Sequence, residues 1–542
     1  MEQKIAAEIQ NIFGVETEVK FSRPDPKFGD YATNVALQLA KPLGQQPREI
    51  AEKLADSLRA GGDFIEVSVA GPGFINMRLS DDRLLEMSQQ MTKPSRQGET
   101  IVIETNNPNP FKAMHIGHAF NAVIADTLAN LIEASGASTY RVSYHGDVGL
   151  HVGKSMYSLL KYADGDINKI TSIPENERNT FMSRMYAEGA AAYKENEAAK
   201  AEIDNLAKQS FEPKSGLYVQ IYDLCKSWSF QAIDDVVSRL GNKPIERRFL
   251  ESDADMRGVE TVKKNVPEVF QESNGALVFE GSKYGAFDNV FVASNGRGVY
   301  AARDLGLMQL KNEYFHAQKS YIVTAEEQRD YFKGVIAAAE LSLPELKGVT
   351  VNITTGTVKL TTGKMSSRDG NVVEITWLFD QVAEAIKSRG GEPTDEIIAG
   401  ALRYQFLKIK IGSDVIFDIN ESVSLTGNTG SYLQYAHARA ASILNKSTKL
   451  SIKPEMLDSA ERSLVLKISE YNEVVCDAMN ELAPHTVCTY LYELAQEFNR
   501  FYEKSRIIDD PREGERLYVT QLYKVNLARG LALLGIHAPD SM

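Results

Sequence analysis

The 542-residue sequence predicts an α/β protein: a doubly wound parallel sheet that binds a nucleotide, preceded by a small α+β domain and followed by an all-α domain. Three observations predict this. A strand–loop–helix–strand succession opens at residue 100, the entry unit of a doubly wound sheet. Charged, helical sequence over about 155–285 interrupts the strands that return near residue 290. Beyond residue 377 strand signals fade and the 3.6-residue period carries on to the end.

Residues 1–92 hold apolar residues at helical spacing over 1–12 and 47–58, and alternate like strands over 64–69 and 74–79 around Gly71-Pro72-Gly73. A polar stretch at 92–99 breaks both periods and marks a domain boundary. The doubly wound domain is expected over 98–376. Its first strand is the β-branched run 100–105, a loop with two prolines follows, and a helix runs over 116–135 with Gly136 at its stop. The next strand is 139–144, and 155–285 reads as an insertion with a hairpin near 276–280. Strand signals follow at 290–293, 299–302, 320–323 and 349–360, with a helix at 328–341. A connecting helical segment, 377–429, leads into the all-α domain, 430–542.

With 43% apolar and 25% charged residues the composition is that of a soluble globular chain, and no apolar run reaches the ~18 residues of a membrane span. The start lacks a signal-peptide profile. The three cysteines, Cys225, Cys476 and Cys488, have no C-x-x-C spacing, which argues against a disulfide framework or a cysteine metal site. A cytoplasmic, multidomain protein without a metal cluster of its own is expected. The net charge of −13 speaks against non-specific coating of nucleic acid, while leaving room for a local basic face.

Two motifs carry chemistry. His115-Ile116-Gly117-His118 opens the helix after the first strand. A helix start presents unpaired N–H groups to phosphate, Gly117 admits close approach, and two imidazoles one turn apart can donate to a phosphoryl group. By chance such a pattern arises about 0.01 times in a chain of this composition. Gly363-Lys364-Met365-Ser366-Ser367-Arg368, a polar loop after a strand, suits a mobile clamp on polyphosphate through one ammonium and two hydroxyls.

On these two motifs the chain resembles a class I aminoacyl-tRNA synthetase, the first matching that class's HIGH signature and the second its KMSKS loop. Within the class it resembles the arginyl-tRNA synthetase family over essentially its full length. Phe28-Gly29-Asp30-Tyr31-Ala32-Thr33-Asn34 and Gly71-Pro72-Gly73-Phe74-Ile75-Asn76 resemble that family's additional N-terminal domain, and the run from Gly427 to Arg439 its entry into the anticodon domain. The resemblance implies activation of arginine by ATP, with Mg²⁺ accompanying the nucleotide, and transfer to the terminal 2′-hydroxyl of tRNA(Arg). It also implies that activation requires bound tRNA. No membrane and no obligate protein partner are expected.

Residue by residue, the resemblance assigns Lys112, His115, Gly117, His118, Lys364, Met365, Ser366 and Ser367 to ATP. It assigns Glu104, Asn109, Tyr300, Asp304 and Gln328 to arginine, a set whose acids and amides suit a planar cation and an α-amino group. Asn76, Tyr435, Arg439, Arg500, Tyr502 and Met542 are candidate tRNA contacts, while Phe498 and Phe501 read as core. His145 divides evenly between lining the site and holding structure. The alternatives are a non-catalytic tRNA-binding or regulatory relative, which would be expected to lose signature residues, and a class I synthetase for another amino acid.

Overall fold

A computed structural model describes residues 2–90, 92, 94–212, 215–361 and 373–542. Lys364, Met365, Ser366 and Ser367 lie outside the described residues. The chain divides into two compact units, one of residues 92–439, 474–492 and 528–542, the other of 1–91, 440–473 and 493–527.

The larger unit is organised by a five-stranded parallel sheet: β1 (Thr100–Glu104), β2 (Ser138–His145), β3 (Arg247–Leu250), β4 (Lys319–Ala325) and β5 (Thr350–Thr355), in the order β5-β4-β1-β2-β3. The chain winds outward from β1 through β2 to β3, then crosses to β4 and winds the other way. The crevice beyond the carboxyl ends of β1 and β4 is therefore the topological switch point, where sheets of this kind bind ligands. Ile101, Val102 and Ile103 of β1 are all fully buried, as befits a central strand covered on both faces.

Four helices border the crevice: α1 (Ile116–Ala134), α2 (Glu251–Lys264), α3 (Tyr300–Phe315) and α4 (Arg329–Ser342). Helix α1 buries residues from Ile116 to Ile132 around most of its circumference. It gives way to Gly136 at φ +91, a conformation side chains resist, and a Cβ there would meet Pro94 at 2.7 Å.

Sequence and structure differ at four places. The segment read as an insertion over 155–285 contains β3 itself, which pairs with β2 from Val142↔Arg247 to His145↔Leu250. With the sequence Arg-Arg-Phe-Leu and only Phe249 buried, this edge strand carries neither an apolar run nor alternation. The residues read as a strand at 299–302 are the start of α3, because a β-branched valine before Tyr-Ala-Ala mimics a strand over so short a window. The strand expected near 290 exists as Asn289–Val292, but it belongs to a separate antiparallel three-stranded sheet with Gln271–Ser273 and Ala276–Phe279. A short strand, Val415–Phe417, also interrupts the helical region after 377.

The helices Leu150–Ala163, Arg178–Glu195, Glu197–Gln209 and Leu217–Arg239 share their own apolar core, built on Met156, Ile203, Ile221 and Tyr222. Phe111, from the loop before α1, is buried in that core.

The smaller unit contains an antiparallel three-stranded sheet, with Phe74–Leu79 between Tyr31–Thr33 and Phe64–Ala70. Arg462 joins its helical part to the sheet, donating to Asp30 at 2.7 Å and to the carbonyl oxygen of Leu79 at 2.9 Å. Phe498 and Phe501 are core, and Phe498 stacks on Tyr523 at 3.9 Å.

Candidate active site

The start of α1 is capped by a reciprocal pair. His115 accepts the backbone N–H of His118 on Nδ1 at 3.3 Å, and His118 accepts that of His115 on its own Nδ1 at 3.4 Å. Their rings stack with centroids 3.5 Å apart. Since each Nδ1 is an acceptor, each ring carries its proton on Nε2, the atom free to donate. Burial, then the nearby Lys112 charge, pulls His115 down to about 4. Burial, His115 and Lys112 pull His118 down to about 3. Both imidazoles are therefore neutral donors at pH 7. A Cβ at Gly117 would lie 3.1 Å from the His115 ring, so glycine lets the ring fold against the helix start.

Lys112 precedes this pair in a loop anchored at both backbone groups of Phe111: its N–H donates to Ser229 Oγ at 3.0 Å, and its carbonyl accepts from Ser155 Oγ at 3.1 Å. Lys112 makes no ion pair among the described residues, and burial, together with Lys154, lowers its pKa. A partly desolvated ammonium, with the Tyr186 ring 5.5 Å away and no carboxylate partner among the described residues, stands beside two imidazole donors in a phosphate-binding arrangement.

At the switch point lies a cavity of about 500 Å³, into which His118, Glu104, Tyr300, Asp304 and Gln328 all project. Burial pushes the Asp304 carboxyl up to about 7, against the Tyr331 hydroxyl that donates to it at 2.5 Å; Glu251 and Glu104 push it further. Gln328 ends the short turn Glu326–Gln328 after β4. Tyr300 sits 67% exposed at the first position of α3.

Glu104 is already engaged: buried Lys311 on α3 lies 2.5 Å from one of its oxygens, and Asn107 donates to the other at 2.6 Å. Asn109 does not line the cavity; its side-chain oxygen accepts from the Gly146 N–H at 2.9 Å and holds the β2 end in place. His145 is fully buried, with Nδ1 2.6 Å from the Pro108 carbonyl oxygen, and lies outside the cavity wall.

Among the cavity residues that sequence reading did not assign, three carry titratable groups. Glu251 opens α2, directly after a strand that reads poorly, and is bound by Arg303 at 3.0 Å. Tyr144 brings a hydroxyl that is sealed from solvent and has no hydrogen-bond partner among the described residues. Tyr331, three residues after Gln328, was signalled only by that helical spacing.

Of the candidate tRNA contacts, Tyr435 (39% exposed) and Arg439 lie on the helix Gly430–Lys446, and Met542 (52% exposed) ends the chain. Arg500, paired with Glu497 at 2.7 Å, and Tyr502 lie on Pro484–Lys504, in the residues of the smaller unit. Asn76 is the exception: in the central strand of its sheet it is only 8% exposed and offers a tRNA little surface.

A doubly wound sheet with paired histidines at the first helix start, beside a cavity holding acids for a cation, has the design of a class I synthetase core. Three family models match the chain: arginyl tRNA synthetase N terminal domain over residues 1–79, tRNA synthetases class I (R), catalytic domain over 81–411, and DALR anticodon binding domain over 433–542. The arginine–tRNA ligase of Borreliella afzelii is 28% identical, over 92% of this chain and 90% of its own. That of Thermobifida fusca is 27% identical, over 99% of each. The structure superposes on Thermus thermophilus arginyl-tRNA synthetase with a TM-score of 0.83 at 25% identity, over 100% of this chain and 99% of that one. Arginyl-tRNA synthetase from Plasmodium falciparum, 20% identical with a TM-score of 0.78 over 100% and 98% of the chains, shares the fold. The chain belongs to the arginyl-tRNA synthetases of class I.

Proposed function

We propose that this chain charges tRNA(Arg) with arginine in the cytoplasm, using ATP as its Mg²⁺ complex. One observation carries the reading: acids, amide and tyrosine suited to a guanidinium share a single cavity with His118 of the nucleotide signature.

The cation of arginine meets Asp304, whose ionised form it stabilises, with Tyr300 and Gln328 completing the pocket and Glu104 held in place by Lys311. Asn109 acts by fixing the Gly146 turn. Arginine's carboxylate attacks the α-phosphorus of ATP, the bond to the bridging oxygen breaks, and pyrophosphate leaves. The Nε2–H groups of His115 and His118 donate to the phosphoryl oxygens as charge builds, and Gly117 lets them approach. Lys112, with Lys364, Met365, Ser366 and Ser367, holds the polyphosphate. No protein nucleophile is needed; positioning and charge stabilisation carry the step. The 2′-hydroxyl of the terminal adenosine then takes the arginyl group from the adenylate, and AMP leaves.

Division into an N-terminal tRNA-contacting domain (1–92), a catalytic domain (98–376), a connecting segment (377–429) and an anticodon domain (430–542) goes with this reading. Tyr435, Arg439, Arg500, Tyr502 and Met542 are the candidate contacts to the exposed anticodon, where splayed bases are read by stacking and hydrogen bonds. The family models and the relatives named above favour neither a non-catalytic protein nor another amino acid.

The test is charging of a mixed tRNA pool with Mg²⁺, ATP and each labelled amino acid in turn. Incorporation of arginine alone is expected. Incorporation of another amino acid, or of none while tRNA still binds, would refute it.

A further inference from the structure

Among the described residues three acids line the cavity at the switch point, Glu104, Glu251 and Asp304, and two of them come with a cation of their own. Lys311 pairs with Glu104. Arg303 pairs with Glu251 at 3.0 Å, and its other donors go to Asp255 and to the Gly298 carbonyl oxygen. Asp304 forms no ion pair among the described residues, and its carboxylate has a single hydrogen-bond partner there, the Tyr331 hydroxyl. The charge left to meet arginine's cation is therefore that of Asp304. We propose that Tyr331 is a positioning residue for arginine recognition, its hydroxyl orienting the Asp304 carboxylate so that it stands ready for the guanidinium. The proposal deepens the charging function above and rests on it.

Two helices build this placement. Asp304 follows Tyr300 by four residues on α3, and Tyr331 lies in the first turn of α4, three residues after Gln328, so all four side chains reach one cavity. The Tyr331 ring packs on the apolar core shared by α3 and α4 and lies 5.2 Å from the Phe332 ring, which fixes where its hydroxyl can be. A carboxylate turns easily about its last bond. The hydrogen bond on Oδ2 removes that freedom and leaves Oδ1, with no partner among the described residues, for an N–H of the ligand. Orientation fixed before binding is freedom that arginine need not remove.

The same bond governs the proton on the acid. Asp304 is faced by Glu104 from β1, Tyr144 from β2, Glu251 from α2 and Tyr331 from α4, with Arg303 and Lys311 on its own helix. Burial pushes the carboxyl up, the Tyr331 hydrogen bond draws it down, Glu251 and Glu104 push it up, and Lys311 draws it down. A bond donated to a carboxylate favours the ionised form. Without the hydroxyl, Asp304 should keep its proton to higher pH and refuse the cation there.

Tyr331→Phe removes the hydroxyl and keeps the ring. In the full-length protein, with saturating tRNA and Mg²⁺-ATP, it should raise the KM for arginine about tenfold at pH 7, the scale of one hydrogen bond lost from a charged group. The value of kcat should change little, and thermal unfolding of each variant checks the fold. The acidic limb of the KM profile should move up by about one pH unit, the shift equivalent to tenfold, so that variant and wild type converge at alkaline pH. With Asp304→Asn already in place, Tyr331→Phe should add no further rise, as expected of a residue that acts through another. An unchanged KM in Tyr331→Phe would overturn the proposal and leave arginine charging in place. So would a rise that is the same at every pH and persists in the Asp304→Asn background. Wild-type protein that charges no tRNA with arginine would overturn the function beneath it.

Discussion

Arg403 donates to Asp126 at 2.9 Å with both side chains fully buried. Asp126 lies on α1, the helix that opens with the paired histidines. The same guanidinium donates to the carbonyl oxygens of Leu534 at 2.7 Å and Leu240 at 3.0 Å, to Asn242 at 2.6 Å and to Thr127 at 3.0 Å. Its planar fork is thus fully used, and α1 is tied to the end of the inserted helices and to the chain's last residues. Asp126 also accepts from Arg141 at 3.3 Å, which only partly covers its charge. Replacing Arg403 by Met should therefore cost about 3–5 kcal/mol, the scale for stranding one member of a buried pair. Urea unfolding measures this, and a loss under about 1 kcal/mol would show that the network does not hold the helix.

Asp304 should make arginine binding depend on pH. A free aspartate titrates near 3.9, whereas burial in the pocket holds this carboxyl at about 7. Between those values the folded chain keeps a proton that the unfolded chain has lost, so this group lowers stability as pH rises from about 4 to about 7. The arginine cation prefers the ionised form. The KM for arginine should therefore fall up to tenfold per pH unit below 7 and level off above it. Steady-state kinetics from pH 5.5 to 8.5 would show this limb, and Asp304→Asn should abolish it while raising KM throughout. A flat wild-type profile would remove Asp304 from the cation site.

The legible parts of this molecule are those where one local pattern suffices. The β-branched apolar run at Ile101–Ile103, bounded by a polar stretch and a proline loop, reads as a covered strand, and His115-Ile116-Gly117-His118 announces a helix start and its ligand at once. What escaped depends on partners far along the chain. Arg247 and Arg248 are strand residues because β2 lies alongside, not through any pattern of their own. Glu104 reads as an open acid until Lys311, 207 residues later, is folded against it. Glu251 and Tyr144 look unremarkable in sequence and enter the cavity only through the sheet order.

Close packing of α2 on α3 positions much of the pocket, since α3 carries Tyr300, Arg303 and Asp304 and α2 carries Glu251. Two glycines make it possible. A Cβ at Gly258 would lie 1.7 Å from the Ala302 carbonyl oxygen, and one at Gly306 would lie 2.1 Å from that of Ala254. Backbone cannot yield as a flexible side chain does, so Gly306→Ala must push the helices apart. Overpacking of this kind costs about 1–3 kcal/mol, and a shift of ~1 Å at the substrate can cost ~100-fold in rate. The variant should thus remain folded, with a modest loss of stability, yet lose at least tenfold in kcat/KM for arginine. Retention of full activity would show that the spacing of α2 and α3 does not set the pocket.

The histidine pair should stay neutral well below pH 6.5. Burial and the Lys112 charge hold His115 near 4 and His118 near 3, while the unfolded chain takes up protons at its histidines from about 6.5 downward. The stability these rings allow at neutral pH is then lost as pH falls from about 6.5 towards 4, because folding must exclude protons that the unfolded state binds. In the native protein, nitrogen NMR of labelled imidazoles at pH 6 should show both rings as the neutral Nε2–H tautomer, fixed by the backbone bonds to Nδ1. The charging rate should show no limb from these groups between pH 6 and 8. His118→Ala, which removes one donor to the phosphoryl oxygens, should lower kcat by about 10²–10³, the usual effect of losing such a donor. Imidazolium signals from either ring at pH 6 would contradict the neutral-donor mechanism and make the pair a source of positive charge instead.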